Sequence, residues 1–132
     1  GAHLVKPSVG ELESVVGEKL REPAALEAAA KSIVERSRLD MLTVTMGREG
    51  ALLVTPDFTR RLPSPDVEVK SAVGAGDSFL AAMALALARG GGPLHAFLDG
   101  IAAGAATAIT PGTELCHRDD IRRLRRELEA LL

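Results

Sequence analysis

Apolar positions along the chain change period several times, and each change marks an element. Leu4-Val5 reads as a strand entered with no preceding turn, as in a piece of a longer protein. Ser8 suits the cap of a short helix from Val9 to Gly17, with Glu11 three residues on as its capping-box partner. Glu22-Pro23 opens a second helix, Ala24 to Arg38, in which Leu26, Ala29, Ala30, Ile33 and Val34 fall at helical spacing. Met41 to Thr45 is a continuous β-prone run, a buried strand. Gly47-Arg48-Glu49-Gly50 turns the chain into a second strand, Ala51 to Thr55, and Pro56-Asp57 into a third near Phe58 to Leu62. Pro63 and Pro65 bracket a loop, after which Val67, Val69 and Ser71 alternate like a short strand. Gly74-Ala75-Gly76-Asp77 then opens a helix from Ser78 to Arg89, closed by Gly90-Gly91-Gly92-Pro93. In this helix Leu80, Ala81, Ala84 and Leu85 predict burial on more than one side and a central place in the fold. A helix from Pro93 to Ile109 carries Leu94, Phe97, Leu98, Ile101 and Ala105 on one stripe, and Pro111-Gly112 breaks it. The last helix, Arg118 to Leu132, has Asp119 and Asp120 where its dipole favours anions. Strands and helices alternate, so the class is α/β.

Composition narrows the function. The 132 residues are the size of one domain, and 46% hydrophobic content is enough for a core. That core is aliphatic, since there are 3 Phe and no Tyr or Trp. The 16 basic and 18 acidic residues make no field for a nucleic-acid backbone, and the missing aromatics remove stacking platforms, so no nucleic-acid partner is expected. No stretch reaches the ~20 apolar residues of a membrane span. The single cysteine, Cys116, leaves no internal disulfide, which with the absence of a signal peptide suits a cytoplasmic protein. His3, His95, His117 and Cys116 lack zinc-like spacing. Arg122, Arg123, Arg125 and Arg126 are accompanied by Glu127 and Glu129, the composition of a solvated helix face.

Gly74-Ala75-Gly76-Asp77 is the segment that points to chemistry. Its glycines let the backbone turn sharply, and the following helix directs unpaired N–H groups into the turn, which together make an anion site. A carboxylate inside such a site suits proton abstraction from an alcohol that then attacks a phosphoryl group. Asp is also a favoured N-cap, so Asp77 equally suits a purely structural role. There is no G-x-x-x-x-G-K-[ST] P-loop, and Phe79 in place of a third glycine breaks the dinucleotide fingerprint.

Ala72-Val73-Gly74-Ala75-Gly76-Asp77-Ser78-Phe79 resembles the C-terminal signature of the ribokinase-like (PfkB) carbohydrate kinases. Lys6-Pro7-Ser8-Val9-Gly10-Glu11-Leu12 is similar to the family's K-P-N-x-x-E-L stretch, and Val44 to Ala51 to its T/S-x-G-x-x-G nucleotide turn. Ala102 to Thr107 followed by Gly112 to Cys116 resembles the closing segment of the family's 6-phosphofructokinases. The resemblance covers nearly the whole chain but only the C-terminal half of a family member. It implies a ribokinase-like three-layer α/β/α fold, C-terminal portion only, with an incomplete central sheet, and residues 1–132 as the nucleotide-binding part of one kinase domain.

The resemblance also implies roles. Asp77 matches the catalytic base, and Gly74, Ala75 and Gly76 the anion hole. Ser8, Thr45, Gly47, Arg48 and Gly50 match nucleotide-binding positions; Val69, Ile101 and Ala105 match the adenine pocket, although ordinary core packing accounts for them as well. Glu11 matches the acidic residue that organises magnesium through water, and Ser8 stands where the family has Asn. Ser71, Val73, Thr107, Thr110, Gly112 and Glu114 match the set that holds a monovalent cation, potassium, in some members. The implied cofactors are ATP and Mg2+, with K+ as an addition. The implied partners are a nucleotide, a small sugar phosphate, the N-terminal half that grips the sugar, and a second copy through the open sheet edge. The implied reaction is ATP-dependent phosphorylation of a sugar phosphate, 6-phosphofructokinase ahead of 1-phosphofructokinase and tagatose-6-phosphate kinase. A non-catalytic nucleotide-binding module and a helical interaction domain are the readings from other classes.

Overall fold

The computed structural model describes residues 4–70, 74–110 and 117–132. They pack as two compact units, the first ending at Pro63 and the second beginning at Ser64. Among the described residues no helix is long and apolar enough to cross a membrane.

The first unit is a four-stranded sheet with two helices. Strand β1 (Leu4–Val5) leads through α1 (Val9–Val16) and α2 (Pro23–Ser37) to β2 (Met41–Thr45), which pairs with it in parallel, Leu4 opposite Met41. Strands β3 (Ala51–Val54) and β4 (Thr59–Leu62) follow as antiparallel neighbours, giving the order β1-β2-β3-β4. The capping box at α1 forms as the spacing predicts: Glu11 N–H donates to Ser8 Oγ at 3.1 Å and Ser8 N–H to Glu11 Oε1 at 3.2 Å. Gly17, at φ 78°, closes the helix in the left-handed conformation. Leu26, Ala30 and Val34 are the buried stripe of α2, at i, i+4 and i+8. They join Leu12 and Leu20 over one face of the sheet, formed by Leu42, Val44, Leu52 and Val54. Met41, Thr43, Ala51 and Leu53, pointing the opposite way, are buried too. Burial on both faces is why these strands read as unbroken apolar runs rather than as alternation.

The second unit is built from α3 (Ala75–Ala88), α4 (Pro93–Ala108) and α5 (Arg118–Glu129). Helix α3 lays Phe79, Met83 and Ala86 against its neighbours, and the Phe79 and Phe97 rings meet edge to face, centroids 6.4 Å apart. Leu80, Ala81, Ala84 and Leu85 are exposed, against the expectation that α3 is central. The central helix is α4, buried around its circumference from Ala96 to Leu98 and Gly100 to Ala106 rather than along one stripe. Alanine fits either side of a helix, so an Ala-rich sequence leaves the buried face unmarked. The strand expected at Val67, Val69 and Ser71 does not form over 67–70, where Lys70 N–H donates to the Ala108 carbonyl at the end of α4 at 2.7 Å. Helix α5 buries Leu124 and Leu128. Its basic run is not uniformly solvated. Arg125, 20% exposed, pairs with Asp99 of α4 and Glu129 and meets His95 Nδ1 at 2.7 Å.

Candidate active site

The candidate residues read from the sequence fall into two groups, one in each unit. The first lies at the carboxyl ends of β1 and β2. Because these strands are parallel, both ends emerge on one edge of the sheet, the edge where open α/β sheets bind ligands. Thr45 N–H donates to the Pro7 carbonyl at 3.1 Å, and Ser8 and Thr45 form a parallel bridge. The helix start at Ser8 is thereby tied to the turn that follows β2, which brings Ser8, Glu11 and Thr45 together.

That turn is a single 3-10 turn, Gly47–Glu49. Met46 N–H donates to the Gly50 carbonyl at 2.8 Å, and Gly50 N–H to the Gly47 carbonyl at 3.2 Å. Gly47, at φ 58°, presents an exposed backbone beside Arg48. Gly50 is required twice over. Its φ is 100°, and a Cβ there would fall onto the Leu62 carbonyl oxygen and lie 2.7 Å from Pro63 Cα. The first glycine adopts the left-handed turn conformation; the second lets β3 leave the turn directly beside β4.

Glu11 is exposed, with Oε1 engaged in the helix cap. No group of three His, Cys, Asp or Glu side chains is gathered to hold a metal among the described residues. Magnesium needs no such cage, since it is commonly held by one carboxylate, waters and substrate phosphates. Glu11 fits that mode through its second oxygen.

The second group is the start of α3. Gly74 is its N-cap, at φ 78°, and carries no side-chain cap. The helix therefore begins at Ala75 rather than Ser78, and Asp77 is its third residue, not its cap. Ser78 N–H, donating to the Gly74 carbonyl at 2.9 Å, is the first to close an intrahelical bond. The N–H groups of Ala75, Gly76 and Asp77 thus have no acceptor within the helix. Asp77 is exposed and makes no hydrogen bond or ion pair among the described residues. The purely structural cap is excluded by this geometry. What stands there is a carboxylate with no partner among the described residues, beside N–H donors with no acceptor within the helix, at the positive end of a helix dipole.

Ile101 and Ala105 are both buried within α4, at 5% and 8% exposure, while Val69 is exposed. Of the cation set, Ser71, Val73, Gly112 and Glu114 lie outside the described residues, as do Cys116 and His3. Thr107 and Thr110 end α4: the Thr107 carbonyl accepts from Thr110 N–H at 3.1 Å, and Thr110 Oγ1 donates to the Ala106 carbonyl at 2.8 Å.

The sequence reading passed over Gly100, Gly104 and Ser78. A Cβ on Gly100 would lie 2.7 Å from both Met83 Cγ and Phe79 Cε1; one on Gly104 would lie 3.3 Å from the Ala75 carbonyl oxygen. Two glycines four apart on an Ala-rich helix were the available signal for such close helix packing.

A model of the pfkB family carbohydrate kinases matches residues 1–120. The ATP-dependent 6-phosphofructokinase isozyme 2 of Mycobacterium tuberculosis is 44% identical over 93% of this chain, which spans 36% of that protein's length. The crystal structure of phosphofructokinase-2 from Escherichia coli in complex with potassium superposes with a TM-score of 0.91 at 35% identity, over 96% of this chain and 41% of that one. Ribokinase from Thermotoga maritima superposes with a TM-score of 0.80 at 27% identity, over 93% of this chain and 42% of that one. The fold is therefore the ribokinase-like α/β fold, of which this chain represents a portion.

Proposed function

This chain belongs to the pfkB family of carbohydrate kinases, and from that premise we propose that it is the nucleotide-handling part of a kinase acting on a sugar phosphate, fructose 6-phosphate first among them. Residues 1–132 form the C-terminal part of one kinase domain in this reading. Asp77 takes the proton of the sugar hydroxyl, and the hydroxyl oxygen bonds to the γ-phosphorus of ATP. The bond from that phosphorus to the bridging oxygen breaks, and ADP leaves with the electron pair. The anion hole of Gly74, Ala75 and Gly76, with the Asp77 N–H beside it, stabilises charge on the transferring group. Thr45, Gly47, Arg48 and Gly50 serve the nucleotide phosphates, with Val69, Ile101 and Ala105 at the adenine. Ser8 and Glu11 would hold magnesium through its water shell, where it would supply neutralisation of phosphate charge. Potassium, named with the E. coli relative, would be held by the carbonyls of 71, 73, 107, 110 and 112 and by Glu114.

The observation that carries this reading is the exposed Asp77 carboxylate at the third position of α3, unpartnered among the described residues and beside donors with no helical acceptor. The experiment is sugar-phosphate-dependent ADP release by the chain completed to its relatives' length. Asp77→Asn lowers kcat by about 10²–10⁴-fold, the usual contribution of a general base, and leaves calorimetric binding of magnesium ATP intact. The 132-residue chain by itself turns over negligibly, because the family resemblance assigns the sugar grip to segments it does not contain. Turnover unaffected by D77N refutes the reading.

The mutual cap of Ser8 and Glu11 favours a second reading. With one Glu11 oxygen and the Ser8 hydroxyl both occupied, a nucleotide-binding module without turnover is the alternative. Saturable ATP binding with no ADP release from the completed protein identifies it.

A further inference from the structure

We propose that Ser78, Gly104 and Thr107 are positioning residues, which hold the first turn of α3 in the geometry that Asp77 and its neighbouring N–H groups require; this rests on the kinase reading above. Helix starts fray, and this one lacks the usual remedy, since a glycine N-cap contributes no side-chain acceptor. Asp77 has no bond of its own among the described residues, so the backbone of residues 74–78 sets where its carboxylate stands.

That backbone is held from α4. Thr107 Oγ1 donates to Ser78 Oγ at 2.8 Å, linking the fourth residue of α3 to the last turn of α4. One helical turn earlier, the missing side chain of Gly104 admits the Ala75 carbonyl: a Cβ would lie 3.3 Å from that oxygen and 3.5 Å from Phe79 Cδ2. The contacts therefore grip α3 at its first, fourth and fifth residues, and Asp77 lies between the grips. Gly74 is also approached, a Cβ there being 3.9 Å from Thr107 Cγ2. The side-chain hydroxyl of Thr107 thus has a task separate from the carbonyl assigned to potassium. Misplacing a reacting group by an ångström costs about 10²-fold in rate, so a loosened turn has a measurable signature.

Thr107→Val removes the hydroxyl at constant shape, and Thr107→Ser keeps it. Hydrogen exchange of the 132-residue chain followed by NMR reads the turn directly. In T107V, protection at Ser78 to Leu80 falls about tenfold, the scale of one lost hydrogen bond, while protection at Met83 to Ala86 is unchanged. T107S retains the wild-type pattern. In the chain completed to its relatives' length, T107V lowers kcat about tenfold with the nucleotide KM retained, and T107S restores it. The proposal is overturned if T107V leaves the first turn protected, if protection falls evenly along α3, if T107S behaves as T107V, or if kcat is unmoved. Full activity in D77N defeats the kinase reading separately, and the exchange contrast between T107V and T107S still decides the positioning.

Discussion

Gly50 illustrates how much a single backbone position can carry. Its φ of 100° and its approach to Leu62 and Pro63 both exclude a side chain. Gly50→Ala is therefore expected to destabilise the chain by roughly 2–4 kcal/mol, strain and overpacking together, read as a lower urea midpoint at unchanged slope. Ser8 separates structure from chemistry. Ser8→Ala loses the cap and about 1 kcal/mol, whereas Ser8→Asn keeps an equally good cap. If the site handles magnesium as the family does, S8N raises its apparent affinity in a titration of the ATP-bound chain while the melting temperature holds. Unchanged magnesium affinity in S8N removes Ser8 from the metal's surroundings. These residues were legible in the sequence because glycines, caps and acidic partners announce themselves at short range. Asp77 was not settled there: cap and base both suit an Asp after Gly-Ala-Gly, and the helix boundary, one residue past Gly74, removes the cap and leaves the base as the proposal to be tested.

Among the elements, those whose ends carry punctuation were read almost to the residue. Helices α1 and α2 and strands β2 and β4 stand where period, proline and glycine put them. The misreadings share a physical cause, which is that the deciding contact is distant in sequence. Val67 and Val69 alternate as strand residues do, yet the backbone at Lys70 is satisfied by the end of α4. Alanines made α3 look central when α4 is. What distinguishes α4 is the pair Gly100 and Gly104, whose absent side chains let α3 come close. Gly100→Ala would drive a methyl group against Met83 and Phe79, and a loss of about 1–3 kcal/mol is expected from overpacking. Equilibrium denaturation checks it; an unchanged midpoint shows that the two helices part at no cost.

At the scale of the whole molecule, the sheet has a consequence for solution behaviour. Its order ends at β1, a strand of 2 residues with a partner on one side only among the described residues. An unpaired edge of this kind pairs with other chains unless something blocks it. Self-association is expected, with light-scattering mass rising with concentration, and Val5→Pro suppresses it. A mass of one protomer throughout a wide concentration range refutes this.

The division at Pro63 has another implication. Each unit has its own buried side chains, and the joint between them, Pro63-Ser64-Pro65, lies in a stretch without helix or strand. The turn between β2 and β3 belongs to one unit and Asp77 to the other. A polypeptide so organised lends itself to being made in two pieces: neither fragment loses an element when the covalent link is cut there. Each piece would keep the buried side chains of its own unit, so expressing 1–63 and 64–132 separately and following the cooperative unfolding of each reports whether either folds without the other.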